Sequence, residues 1–139
     1  MRYVARVKKD GRHWVINFPD AEGCVTFAEK KADVEATASE ALVSWLVAEM
    51  VTGQVPPVPR ARMTAGAVLV KVPTRLAVAV RLRQARAAAG LSQAELAERV
   101  GVSQQQVAKL ESSKANPSLD TLAKVAKALG MTVDIAFAA

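Results

Sequence analysis

The sequence predicts an α+β protein in two parts: a small mixed domain of order β-β-β-α-β, then an all-helical domain. Three observations predict this. Residues 2–8 alternate, with Tyr3, Ala5 and Val7 set against Arg2, Arg6 and Lys8, the period of a half-buried strand. Residues 67–72 (Ala-Val-Leu-Val-Lys-Val) form a β-branched run between Gly66 and Pro73. Ser92 and Ser103 each stand three residues before a Glu or Gln, at Glu95 and Gln106, which marks the start of a helix.

The bulk properties bound the answer. With 139 residues and 51% apolar content, the chain suffices for one average domain or two small ones. Residues 1–59 hold 7 Lys/Arg and 8 Asp/Glu, whereas residues 60–139 hold 12 and 5. A near-neutral half joined to a basic half points to two modules, one of them facing a polyanion. Cys24 is the single cysteine, so no internal disulfide forms. No apolar run has the length of a membrane span. The charged, alternating N-terminus lacks the apolar core of a signal peptide. A cytoplasmic protein with no membrane partner is expected.

In the first domain, Lys9-Asp10-Gly11-Arg12 has turn chemistry, and residues 13–18 (His-Trp-Val-Ile-Asn-Phe) return as the second strand of a hairpin. Pro19-Asp20 closes it. Residues 24–27 make a short third strand after Gly23. Residues 32–51 read as a helix, in which Val34, Ala38, Ala41, Leu42, Trp45, Leu46 and Glu49 follow a three-four rhythm with one apolar face. Pro56, Pro57 and Pro59 have the composition of a linker. A lone strand at 67–72, however, has nothing against which to bury its apolar side. The prolines therefore belong to a loop inside a first domain of residues 1–73, and residues 74–139 form the second. Trp14, Phe18, Phe27 and Trp45 are expected in the core, as is Cys24, a small apolar group when buried. His13, the only histidine, is expected at the surface.

The second domain reads as four helices. The first runs to about residue 89, with Val78, Leu82, Ala85 and Ala89 on its inner face, and Gly90 stops it. The next two cover residues 93–100 and 104–112. The last follows Asn116-Pro117-Ser118, with Leu119, Leu122, Val125, Ala126 and Leu129 inward. Residues 131–137 alternate, which suggests a short terminal strand. The two marked helix starts leave room for two turns of helix and a tight corner at Gly101, where a left-handed backbone is needed. Ala97 allows the next helix to cross closely. This is a helix-turn-helix over residues 93–111.

In such a unit the second helix enters the major groove and reads bases from its first turn. Gln104, Gln105 and Gln106 stand there, and a glutamine pairs bidentately with adenine. Each alone is also what a solvated helix shows; their position singles them out. Gln106 serves its own capping box, which leaves Gln104 and Gln105. Phosphate contacts fall to Gln93 first, then Ser103, Lys109 and Lys114. Arg81, Arg83, Lys124 and Lys127 read as solvated faces that DNA contacts only in part.

The runs Leu91-Ser92-Gln93-Ala94-Glu95-Leu96-Ala97 and Gly101-Val102-Ser103-Gln104-Gln105 resemble the Cro/C1-type (XRE) family of repressors. Pro117-Ser118-Leu119-Asp120-Thr121-Leu122 extends the similarity, which covers residues 78–133. The resemblance implies a lambda-repressor-like all-α fold, a phosphate contact at Gln93 and base-facing positions at Gln104, Gln105 and Lys109. It also implies a buried ion pair between Arg86 and Glu111. Ser113 departs from the family, which usually has Gly there, so a less ideal end to the recognition helix is expected.

Phe18-Pro19-Asp20-Ala21-Glu22-Gly23-Cys24-Val25-Thr26, followed by Ser39-Glu40-Ala41-Leu42-Val43-Ser44-Trp45-Leu46, resembles the HicB family of antitoxins. This similarity covers residues 2–72. It implies a partial RNase H-like domain that binds a small basic RNase toxin of the HicA type. Glu22 stands where the family has Pro, and Ala28-Glu29-Lys30 replaces the residues that usually cap the helix, so its start is poorly marked. The first strand carries no acid, and Glu35, Glu40 and Glu49 are spread along a helix. The paired carboxylates of a two-metal nuclease are thus not expected, nor is any catalytic residue, metal or cofactor. The acidic turn at Asp20 and Glu22 is the candidate toxin contact.

The combined expectation is an antitoxin that also represses its own operon. It would act as a homodimer or larger assembly on a palindromic operator, with pairing possible through the terminal strand 132–137. The alternative is a transcriptional regulator whose first domain binds a different ligand or protein.

Overall fold

The computed structural model describes residues 1–139. Strands β1 (Arg2–Asp10), β2 (His13–Asn17), β3 (Val25–Ala28) and β4 (Val68–Lys71) form one sheet in the order β3-β2-β1-β4. Every neighbouring pair is antiparallel. The β1–β2 hairpin sets Asp10 opposite His13, and Gly11 turns the corner at φ +58, a conformation open to glycine at little cost. The β-branched run finds its partner in β1, with Tyr3 opposite Val70 and Ala5 opposite Val68.

Helix α1 (Val34–Val51) follows a single 3-10 turn at Lys31–Asp33, and no side chain caps either start. Val34, Ala38, Leu42, Leu46 and Met50 recur every four residues and are buried. They cover one face of the sheet, where Tyr3, Ala5, Ile16, Phe18 and Val70 complete the core. Cys24 is buried there too, and burial pushes its thiol pKa up. Phe27 corrects the expectation of a core aromatic. The register places it opposite Val15, on the face away from α1, and it is 59% exposed. The exposed His13 ring meets it edge-on at 5.2 Å. Trp14 and Trp45 are only partly buried against the core.

Helix α2 (Thr74–Ala88) departs from the single apolar face expected of it. Leu76, Ala77, Ala79 and Val80 are buried in the first core. Val78, Leu82 and Ala85 are only half-buried, and Ala89 is exposed. The helix packs on two sides because a core lies on each side of it, so the first core extends past residue 73. The second core is Leu96, Ala97, Val107 and Val125, with Leu82, Leu91, Val102 and Leu110 around it. It is built by α3 (Gln93–Val100), α4 (Gln104–Leu110) and α5 (Leu119–Ala128). Leu119, expected inward, is 63% exposed; it opens α5 and points away from the bundle. Residues 131–139 are exposed and take no helix or strand. The expected terminal strand pairs with no other strand of the chain, and a strand exists only through such pairing. No helix is long and apolar enough to cross a membrane.

Residues 54–67 run without regular structure, yet five side-chain hydrogen bonds fasten them, one of them from Arg83 to the Gln54 carbonyl. The Tyr3 hydroxyl donates to the Pro57 carbonyl at 2.6 Å. Gln84 Nε2 donates to the Pro56 carbonyl at 2.8 Å. Asp20 Oδ2 accepts from the Arg60 and Ala61 amides at 2.8 and 2.6 Å.

Burial pushes the Tyr3 phenol up to about 12 from its ordinary 10.0, with Arg81 opposing and Asp20 assisting. The folded state therefore holds the proton more tightly than the unfolded one. The contribution is fully present below pH 10 and is lost as pH rises through about 12. Tyr3→Phe should lower stability at pH 8 by about 1 kcal/mol through the lost hydrogen bond. Denaturant titrations from pH 9 to 12 should show the wild type losing stability towards the variant across this window.

Candidate nucleic-acid interface

The helix-turn-helix starts from its two caps. Ser92 Oγ accepts from the Glu95 amide at 3.1 Å, and Glu95 Oε2 accepts from the Ser92 amide at 2.8 Å. Ser103 and Gln106 repeat the exchange at 3.1 and 2.9 Å. Each box satisfies amides that a helix start leaves open. Between them Gly101 caps α3 at φ +81. Ala97 is 3% exposed, and small enough for α4 to cross against it.

This geometry leaves the first turn of α4 bare. Gln104 and Gln105 are exposed with no protein partner, whereas the Gln106 side chain is committed to the cap. Ser103 is exposed but its hydroxyl is likewise engaged. Lys109, in the last turn of α4, and Lys114, beyond it, are both exposed. The chain leaves α4 without a left-handed residue: no non-glycine residue has positive φ. Ser112 donates from both its amide and its hydroxyl to the Lys109 carbonyl, and Ala115 then turns back to Ser112. Ser113 therefore needs no glycine conformation.

Behind the exposed face lies a buried carboxylate. Glu111 is 1% exposed. Arg86 grips it with two bonds, Nε to Oε1 at 2.6 Å and Nη2 to Oε2 at 3.0 Å. A third donor of Arg86, Nη1, reaches the Leu91 carbonyl at 2.8 Å. Gln93, at the start of α3, donates Nε2 to Glu111 Oε2 at 3.2 Å.

Sequence reasoning missed the pair next to Arg86. Arg83, read as a solvated side chain, is 8% exposed, as is Gln84. Arg83 Nη1 donates to the carbonyls of Met50 and Gln54, both at 2.8 Å. The available signal was helical spacing: Arg83 and Gln84 continue the face of Leu76 and Val80. In the first domain, Asp20 is occupied with the loop at Arg60 and Ala61. Glu22 is exposed, and its carbonyl accepts from Trp45 Nε1 at 3.2 Å. The larger bare feature nearby is β3, an edge strand whose Val25 and Phe27 are 62% and 59% exposed.

A family model described as a HicB-like antitoxin of a bacterial toxin-antitoxin system matches residues 2–81. The chain belongs to the HicB-like antitoxin family. A helix-turn-helix model matches residues 82–135 of this HicB-like antitoxin, which gives it a DNA-binding half. A curated relative, Antitoxin HicB 2 of Photorhabdus laumondii, is 28% identical over 135 residues, 97% of this chain and 95% of the relative. An HTH-type transcriptional regulator of Methanothermobacter thermautotrophicus is 47% identical over 49 residues, 35% of this chain and 71% of the regulator. Among solved structures, a chain of a HicA3 and HicB3 toxin-antitoxin complex aligns with 25% identity and a TM-score of 0.45. That alignment covers 52% of this antitoxin and 99% of the other chain.

Removing one partner of a buried pair strands the other charge. Arg86→Met should therefore destabilise the antitoxin by about 3 kcal/mol, as read by denaturant unfolding. Ser92→Ala, which removes only a cap, should cost about 1 kcal/mol.

Proposed function

We propose that this antitoxin works by binding alone, neutralising a HicA-like mRNA-cleaving toxin with its first domain and repressing its own operon with its second. The observation that carries the reading is the joining of an antitoxin-family domain to a helix-turn-helix unit through one shared helix, α2. Membership of an antitoxin family supports the reading of a protein that acts by binding. Toxin, message and operator would all meet in the cytoplasm. The rival reading, a regulator sensing some other ligand, has no observation in its favour.

The toxin contact is assigned to the edge strand β3 and the adjoining Glu22, with Asp20 serving the loop instead. An edge strand with bare apolar residues is a template for another chain, and exposed apolar groups concentrate at partner surfaces. Phe27→Asp should weaken toxin binding by about 2 kcal/mol in calorimetry and leave operator binding unchanged. The test of the whole reading is an RNA-cleavage assay with a purified HicA-like toxin. One equivalent of antitoxin should abolish cleavage, and undiminished cleavage overturns the reading.

On DNA, Gln104 and Gln105 are the base readers and Gln93 the phosphate contact, with Ser103, Lys109 and Lys114 supporting them. Two protomers would occupy half-sites about 34 Å apart on a palindrome. The pairing would use residues 132–137, where Val133, Ile135 and Phe137 are bare. This tail leaves the rim of an apolar groove of 490 Å3 between α2 and α5, lined by Val78, Leu82, Ala85, Leu122 and Leu129. Two tails paired antiparallel about a two-fold axis would cover both grooves at once.

Gln104→Ala should cost about 1–3 kcal/mol at one base pair and relax specificity there, as measured against a panel of single-base operator variants. Truncation after Gly130 should give a monomer by sedimentation and weaken operator binding about 100-fold.

A further inference from the structure

Arg83 sits between the two halves of the molecule. One of its nitrogens, Nη1, holds the carbonyls of Met50 and Gln54, at the last turn of α1 and just beyond it. A cation there complements the negative end of the helix dipole. Another, Nε, lies 3.5 Å from Glu111 Oε2, an ionic contact without the alignment of a hydrogen bond. That same oxygen receives Arg86 Nη2 and Gln93 Nε2. The DNA-facing start of α3 is therefore joined to the end of α1 through one arginine and one carboxylate.

We propose that Arg83 is a positioning residue for operator binding: anchored on the α1 carbonyls, it holds Glu111 so that Glu111 orients Gln93. A glutamine amide has two N–H donors. Glu111 takes one of them, which fixes the amide plane and leaves the other to point outward at a phosphate. Arg86 alone fixes both oxygens of the carboxylate but bonds only within the second domain. Arg83 brings a second positive charge to Oε2 and ties that oxygen to the first domain. A shift at the end of α1 thereby reaches Gln93 through the Glu111 side chain. The inference rests on the reading of Gln93 as a phosphate contact.

The test is a double-mutant cycle on the full chain. Affinity is measured by fluorescence anisotropy against a duplex carrying the promoter region of the chain's own gene. Gln93→Ala and Arg83→Met should each weaken binding about three- to tenfold. The double variant should bind no worse than Gln93→Ala. Losses that multiply overturn the relay and leave Arg83 a packing residue. A Gln93→Ala variant that binds like wild type overturns the phosphate reading itself. If Arg83→Met does not fold, Arg83→Lys takes its place in the cycle; it keeps a cation but lacks the guanidinium fork. Its smaller loss should likewise vanish beside Gln93→Ala. The Gln93 side-chain amide resonances supply a readout independent of DNA. They should shift in Arg83→Lys, and unchanged resonances overturn the proposal.

Discussion

A carboxylate taken out of water has to be compensated on the spot, and Glu111 organises the second domain around that requirement. Isolated burial of a charge costs several kcal/mol even after relaxation. Arg86 meets most of the demand with paired bonds at 2.6 and 3.0 Å, the strongest geometry available between these groups. The arrangement fixes where three elements end or begin: Arg86 near the end of α2, Gln93 at the start of α3 and Glu111 just past α4. The angle between α3 and α4 is then constrained from both sides, by Ala97 in the apolar contact and by Glu111 at the polar one.

The same economy governs α2. A helix with a polar side in water would carry Arg83 and Gln84 outward. Here one side meets the sheet domain and another the helical bundle. The two polar residues answer the carbonyls of Met50, Gln54 and Pro56 at the end of α1 and in the loop that follows it. The contact between the halves is thus polar at one end and apolar at the other, where Leu76 and Val80 enter the first core. A join of that kind favours a definite orientation over a flexible tether.

Much of this was legible in the residues. The caps at Ser92 and Ser103 act locally, so three or four residues suffice to reveal them. β4 was found because an isolated apolar strand is physically incomplete. Gln104 and Gln105 could be placed in the exposed first turn of α4 since the motif fixes their position. What stayed hidden depends on distant partners. Phe27 was assigned to the core because an aromatic residue in a strand has two possible sides, and only the pairing with β2 decides between them. Arg83 was read as solvated since nothing near it in sequence announces the carbonyls it serves. Leu119 followed the helical period, but the period alone does not say where the neighbouring helix stops. Residues 131–137 alternate like a strand, yet they pair with no other strand, and alternation alone does not supply a partner.

The long loop of residues 54–67 looks like the weak point of the molecule, and its anchoring reverses that impression. Tyr3, Asp20 and Gln84 grip it from the sheet, the β2–β3 turn and the shared helix. Beyond it, β4 returns to pair with β1. A cut in the peptide chain near Met63 would therefore leave two fragments still zipped together, with the helix-turn-helix half carrying the fourth strand of the other half's sheet. Covalent continuity and structural continuity follow different routes here. The antitoxin's two activities are separated by unfolding the sheet, and severing the loop does not suffice.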